Sequence, residues 1–501
     1  MNIVTLTILA PLLGTLVLAA VPQANSRLVK IITLTTSLFT AAISIAMALK
    51  YQPAKGGFQF VESHSWFKAF SINYAIGIDG LALVLILLTT LLVPIVVVGG
   101  WNESENGRWS VKTFYMLILV LETSLIAVFA ATDVFLFYVI FEAMLIPVYF
   151  LIGGFGRGER AAAALKFLIY SLFGGLLMLA AVIGIFVVSL RQGAGTFDVT
   201  ALSHLKISHQ TQNWLFLGFF IAFAIKAPLF PFHTWLPGAA KSATPGTSIL
   251  VLGVLDKVGT YGMIRFCLLL FPDATRTFAP YIIALSLISI IYGAILAIGQ
   301  KDLNSLIAFT SISHFGFIVL GIFSLTSQGI SGATLYMVNH GVSTAALFLA
   351  GGWMIARRQS TQVDDFGGVQ RITPVMAWCF FIAGLSALAL PGLSTFVSEF
   401  LVLIGTFTRY PVAGTIATLG IILAALYILY LVQRALHGPV KEGNEVMHDL
   451  TRREKIAIAP VIAALIFFGF YPKPMLNDIN PMTTNLMSHI SIADPIPLAG
   501  K

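Results

Sequence analysis

Charge is scarce in this 501-residue chain: Asp, Glu, Lys and Arg together make up 10%, against roughly 25% in an average soluble domain. So few charges cannot cover a water-facing surface, which excludes an ordinary soluble enzyme. Cysteine is nearly absent. Cys267 and Cys379 lie far apart in apolar stretches, with no CxxC and no Cys/His cluster, so neither an iron–sulfur cluster nor a structural zinc is expected. No GxGxxG follows a strand pattern and no GxxxxGK[ST] occurs, so nothing is shaped to hold a dinucleotide or a nucleotide phosphate. Any redox or ATP energy must come from a partner. The net charge of +8 invites comparison with nucleic-acid binders, yet Lys and Arg are scattered through short loops rather than gathered in a patch, and no nucleic-acid partner is expected.

What the chain has in excess is apolar sequence, 58% of all residues. Windows long enough to cross a bilayer, about 20 residues each, fall at 2–22, 28–48, 79–100, 113–131, 132–153, 163–189, 213–236, 246–270, 276–298, 303–325, 329–356, 374–406, 413–437 and 455–472. The expectation is an all-α polytopic membrane protein of fourteen transmembrane helices, a single membrane domain over 1–501 surrounded by lipid. Met1-Asn2 offers no positively charged n-region, so the first window reads as a retained helix rather than a signal peptide. Loops that follow odd-numbered windows carry most of the Lys and Arg, and the positive-inside rule then puts both termini on the outer side.

Two windows are interrupted by proline and polar residues: Lys226-Ala-Pro-Leu-Phe-Pro-Phe-His233 in the seventh, and Pro391-Gly-Leu-Ser-Thr-Phe-Val-Ser-Glu399 in the twelfth. Pro228 and Pro391 stand as far apart in sequence as Thr113 and Arg276, where the fourth and ninth windows open. The spacing predicts two five-helix repeats, 113–270 and 276–437, preceded by three helices in 1–112 and followed by a last helix and tail in 455–501. An odd number of helices per unit makes the repeats inverted, and discontinuous helices at matching positions point to a transport site at mid-membrane.

An ionisable side chain at the bilayer centre costs at least about 2.5–3.5 kcal/mol and so needs a partner, water or a function. Glu142 lies mid-window with no cation within a helical turn, so its counter-ion must come from another helix. Lys226, beside Pro228, is the natural candidate; the pair reads as a proton gate or as a static bridge between helices. Lys257 is a second buried base, and the adjacent Asp256 points about 100° away around the helix, so the two do not simply pair. His314 and His340 sit among Ser and Thr that can hold ordered water, and histidine titrates near neutral pH; either can equally be a satisfied core residue. Glu399 lies just past the second break. Glu122 is a further carboxylate that either moves protons or locks helices, and Arg265, near the end of its window, is expected to snorkel to the interface. A line of titratable groups along the membrane plane suits protons passed in hops.

Several stretches carry a resemblance: GIDGLALVLILLTTLL at 77–92, FEAMLIPVYFLIG from 141, FFIAFAIKAPLFPFHTWLP from 219, SHFGF from 313, NHG at 339 and LPGLSTFVSEF from 390. Over essentially the whole length the chain resembles the antiporter-like proton-pumping subunits of NADH:quinone oxidoreductase, respiratory complex I, a superfamily that also includes subunits of multisubunit sodium/proton antiporters. The acid Glu399, where chain L and chain N types usually carry Lys, and the end of the chain soon after the last window favour the chain M, or subunit 4, type. The resemblance implies Glu142 and Lys226 as an ion pair, Lys257 as the central lysine, His314 and His340 as a connecting relay and Glu399 as the terminal acid. His233 matches the family's histidine after the broken helix, whereas members differ at Glu122. It further implies that quinone reduction elsewhere drives proton movement here, with FMN, iron–sulfur clusters and quinone in partner subunits and no cofactor in this chain. Chain L and chain N types would be neighbours in the bacterial cytoplasmic membrane or an equivalent energy-transducing one. The alternatives are a sodium/proton antiporter subunit, and a membrane scaffold whose buried charges are static bridges.

Overall fold

A computed structural model of the chain describes residues 2–105 and 107–495. Its main helices, in chain order, are α1 (Ile3–Ala20), α2 (Ser26–Lys50), α3 (Gly80–Gly99), α4 (Val111–Ala130), α5 (Val134–Phe155, bent at Met144), α6 (Arg160–Gln192), α7 (His209–Lys226), α8 (Leu236–Ser242), α9 (Pro245–Leu268), α10 (Pro272–Ile298), α11 (Leu303–Phe323), α12 (Ser327–Arg358), α13 (Pro374–Ala387), α14 (Ser394–Arg409), α15 (Pro411–Leu436), α16 (Arg452–Phe470) and α17 (Lys473–His489). In lipid each backbone N–H and C=O must be satisfied within the protein, so long apolar stretches become helices. Polar residues at the ends start them: Ser110, Asp133, Ser208, Thr244, Asp302 and Thr326 each accept a backbone N–H in the first turn of the following helix, the usual N-cap arrangement.

Among the described residues ten helices are long and apolar enough to cross a membrane, or eleven if α16 and α17, bent by 66°, form one span. That is fewer than the fourteen windows of the sequence. Three of the remaining windows have plain reasons. The first residues of α7, His209-Gln-Thr-Gln-Asn213, are polar and the helix stops at Lys226. α12 carries Asn339, His340 and many Ser, Thr and Gly. The twelfth window is split at 388–393 into α13 and α14, each shorter than a span. The fourteenth window became α16, and the segment after it, expected as tail, folds back as α17; the tail beyond residue 495 lies outside the described residues.

The all-α expectation needs one correction. Residues Gln59–Phe67 (β1) and Ile72–Ile78 (β2) form an antiparallel hairpin. This segment is too short and too polar to span, and it is rich in aromatic and β-branched residues, which suits a strand pair; β2 is the more buried strand and β1 the more exposed. The hairpin runs into Asp79, which caps α3 by accepting from the Ala82 N–H at 3.0 Å.

Burial sorts the helices into inner and outer. The α9 segment is wholly buried and α11 nearly so, whereas α2, α6 and α15 each bury about two-fifths of their apolar stretch. The outer faces carry exposed apolar side chains such as Ile169, Phe173 and Leu176 on α6 and Ile422 and Leu426 on α15, suited to lipid or a neighbouring chain.

The end of α7 shows how the break is held. Pro228 has no N–H to donate, and the Leu229 N–H turns back to the Ala224 carbonyl at 3.0 Å. That strands the Ile225 carbonyl, which accepts instead from the Trp235 indole N–H at 2.9 Å. The Phe230 N–H is taken by Ser289 Oγ of α10 at 2.8 Å. Trp235→Phe keeps an aromatic ring in the site but leaves the Ile225 carbonyl unpaired and a small void beside it. It should cost about 1–3 kcal/mol, seen as a lower unfolding temperature of the detergent-solubilised protein relative to wild type.

Candidate functional site

Glu142 stands on α5 two residues before its bend, with Phe141 buried beside it. Its carboxyl lies against α6 at Gly175, where a Cβ would overlap the carboxyl oxygens, so this glycine is what admits the acid. Lys226 closes α7 and is buried. The expected ion pair is not closed in this structure: Oε1 of Glu142 and Nζ of Lys226 are both buried without a hydrogen-bond partner. The Lys226 ammonium sits instead over two aromatic faces, 4.8 Å from the Phe141 ring centroid and 5.5 Å from that of Phe167, a cation–π arrangement that offsets part of its lost hydration. The Lys226 charge still acts on Glu142, so the two are electrostatic neighbours without contact.

Lys257 belongs to the most buried helix. Two π-helical turns, Val251–Leu255 and Met263–Leu268, flank the short α-helical stretch that it opens. Such turns interrupt the regular ladder and occur often at functional sites. The Lys257 ammonium donates to the Leu252 carbonyl on its own helix and meets Nδ1 of His340, on α12, at 2.8 Å. It also lies 5.0 Å from the Phe315 ring centroid. His340 meets Thr344 Oγ1 at 3.3 Å through Nε2, and its ring centre is 5.3 Å from that of His314 on α11. Nδ1 of His314 meets the Tyr336 hydroxyl at 2.7 Å, and that hydroxyl donates to Oε2 of Glu399 on α14, also at 2.7 Å. Five of these side chains, Lys257, His340, His314, Tyr336 and Glu399, thus form one buried line across four helices.

Tyr336 was not singled out by the sequence. The signal was present: it precedes His340 by four residues on α12, hence on the same helical face. A hydroxyl that accepts from one side and donates to the other can pass a proton along.

Other candidates stand apart. Glu122 on α4 is fully buried with neither carboxyl oxygen hydrogen-bonded, and no candidate residue reaches it. His233 lies in the turn Phe232–Trp235, its ring 5.2 Å from Tyr292 and 5.9 Å from Phe230, with Nδ1 unpartnered. Arg265 does not snorkel. It is buried, with Nη2 2.6 Å from Asp79 Oδ2 and Nε donating to the Tyr261 hydroxyl at 3.2 Å. The carboxylate at the start of α3 gives it a partner inside the protein, so it has no need to reach for the interface.

Comparison with known proteins agrees with this architecture. A family model described as NADH:quinone oxidoreductase/Mrp antiporter, TM, matches residues 131–425, and one described as NADH-ubiquinone oxidoreductase chain 4, amino terminus, matches residues 6–128. NADH-quinone oxidoreductase subunit M of Mycobacterium tuberculosis is 49% identical over 522 residues, covering 98% of this chain and 94% of the relative. NADH-ubiquinone oxidoreductase chain 4 of Marchantia polymorpha is 39% identical, covering 96% of each. Among solved structures, a chain of respiratory complex I from Thermus thermophilus with bound NADH superimposes with a TM-score of 0.89 at 30% identity, covering 97% of this chain and 99% of that one. A chain of the Mrp complex from Dietzia sp. DQ12-45-1b reaches 0.85 at 20% identity, covering 97% and 98%; that likeness concerns the fold alone. Matched by both family models and by relatives over nearly its full length, this multi-pass integral membrane protein belongs to the family of NADH-quinone oxidoreductase subunit M, or chain 4.

Proposed function

We propose that the chain moves protons across the membrane as an antiporter-like subunit of NADH:quinone oxidoreductase, with Glu142, Lys226, Lys257, His340, His314, Tyr336 and Glu399 as the path. The observation that carries this reading is the buried line from Lys257 Nζ to Glu399 Oε2. A proton leaves the Lys257 ammonium for Nδ1 of His340. His340 passes one on to His314, across a gap suited to water. The buried hydroxyls of Ser343 and Ser311, one turn from His340 and His314 and without a protein partner, are places where ordered water can bind. As the Nδ1 proton of His314 moves to the Tyr336 oxygen, the Tyr336 proton moves to Glu399, so the tyrosine ends neutral. At the other end, closing and opening of the Glu142–Lys226 pair sets when Lys226 holds its proton; the separated arrangement described above is one of these two states. His233 and Glu122 are secondary candidates outside the line.

Moving one charge against 100 mV costs about 2.3 kcal/mol, so an energy source must lie outside this chain. In the proposed assembly it is quinone reduction in partner subunits that hold FMN, iron–sulfur clusters and quinone, with chain L and chain N types as membrane neighbours. The chain then has fourteen passages, with the interrupted α7–α8 and α13–α14 stretches as discontinuous helices of two inverted repeats over 113–270 and 276–437. Both termini face outward from a bacterial cytoplasmic membrane or an equivalent one. The Mrp-type fold likeness keeps sodium/proton exchange as a second reading. Copurification decides between them: the tagged chain drawn from native membranes should bring inhibitor-sensitive NADH:quinone reductase activity with it. Sodium-dependent proton exchange in vesicles free of NADH oxidation would overturn the assignment.

The path itself makes three predictions in the native complex. Tyr336→Phe removes only the bridging hydroxyl; assembly should be unchanged and NADH-driven vesicle acidification slower by on the order of a hundredfold. Glu142→Gln and Lys257→Met should likewise leave an assembled complex with sharply lowered coupled turnover, and Glu399→Gln should follow; wild-type pumping in all of them sinks the path. Gly175→Ala should push the Glu142 carboxyl from its niche and lower pumping without changing the amount of complex on a native gel.

A further inference from the structure

Asp256 is the one acid of the central helix, and the path above does not use it. It is completely buried, and neither carboxyl oxygen has a hydrogen-bond partner. An unpaired carboxyl in so apolar a place is expensive, and no capping or bridging role accounts for it.

Its position in α9 is informative. One turn on, Gly259 packs so closely on the end of α7 that a Cβ there would meet the Phe223 carbonyl and the Ala227 amide, and Gly262 lies against the Phe223 ring. The face that holds residues 256, 259 and 262 therefore looks toward the residues on either side of Lys226. A second side, about 100° round the helix, looks toward α12, where Gly253 meets Gly341 and Lys257 meets His340. Adjacent in sequence, Asp256 and Lys257 thus face two different neighbours. The cations acting on the Asp256 carboxyl are Lys257 and Lys226, and the anions acting on Lys226 are Glu142 and Asp256.

We infer that Asp256 is the proton-relay residue joining Lys226 to Lys257 through the body of α9. The Asp256 carboxyl and the Lys226 ammonium are not in hydrogen-bond contact, so each transfer runs through a bridging water that takes up one proton as it gives up another: an N–H bond of the Lys226 ammonium breaks as an O–H bond forms on the Asp256 carboxylate, and that O–H then breaks as an N–H bond forms on the neutral Lys257 amine. No electrons are transferred, and the reverse sequence balances equally. Without this link the Glu142–Lys226 pair and the line from Lys257 to Glu399 are two separate segments. The inference rests on the proton-carrying reading.

The test uses the whole complex in inverted membrane vesicles, with Asp256→Asn, Asp256→Glu and Lys257→Met compared with wild type. Complex content is read on native gels, NADH oxidation by absorbance and acidification by a pH-sensitive dye. Asp256→Asn keeps the side-chain shape and should assemble fully, yet lower proton uptake and coupled turnover by at least about tenfold, while Asp256→Glu recovers most of both. If Lys257→Met stops pumping but Asp256→Asn pumps as wild type, the relay role of Asp256 fails and the path stands. Loss in Asp256→Asn that merely follows a loss of assembled complex also overturns the role, making the residue structural. Should Lys257→Met itself pump normally, the path as a whole fails.

Discussion

An ammonium group in the middle of a lipid-spanning bundle has no water to turn to, and everything around Lys257 answers that constraint. Its charge is shared between the Leu252 carbonyl of its own helix and Nδ1 of His340, beside the face of Phe315. The helix that holds it is wholly buried, and irregular π-helical turns on either side break the ordinary ladder there. α11 and α12 complete the lining, which is why these two carry histidine, serine and threonine where outer helices carry leucine and phenylalanine. Non-regular backbone at membrane depth is tolerated only where protein or a polar interior surrounds it; here α9 packs on the broken end of α7, and the break at 388–393 lies against the end of α16.

Much of this was legible in the sequence because lipid makes the rules strict. Scarce charge meant that each buried Lys, Glu and His stood out, and Lys257, His340, His314 and Glu399 lie along one line, with a gap between the two histidine rings. The proline-marked interruption at Pro228 was visible for the same reason. What stayed hidden depended on three-dimensional detail. Tyr336 looked like one more aromatic in an apolar helix; only the approach of α11 and α14 to the same hydroxyl reveals its place. The separation of Glu142 from Lys226 turns on Gly175 and on two phenylalanine faces, and a residue with no side chain leaves no chemical signature. The hairpin at 59–78 escaped because windows of spanning length pass over a short strand pair, and the partner of Arg265 escaped because Asp79 is remote in sequence.

The break after Lys226 is held by a different kind of economy. The Leu229 N–H covers the carbonyl that proline leaves open, and a single indole N–H covers the one stranded by that shift, so the helix can stop in the interior without a costly unpaired group. The lysine is thereby placed in the last turn of a helix, the end at which the helix dipole favours a cation.

Tyr336 supplies the last link between the histidines and Glu399, and its hydroxyl has a single hydrogen. On the proposed path, once a proton has crossed it toward Glu399, the O–H vector points back at His314 and the oxygen's free lone pair faces the acid. Nothing further can cross in the same sense until the hydroxyl swings round again. In that reading the link is a turnstile rather than an open conduit: it admits one proton per rotation, and a voltage that reverses cannot drain a stream of protons back through it faster than the phenol can turn.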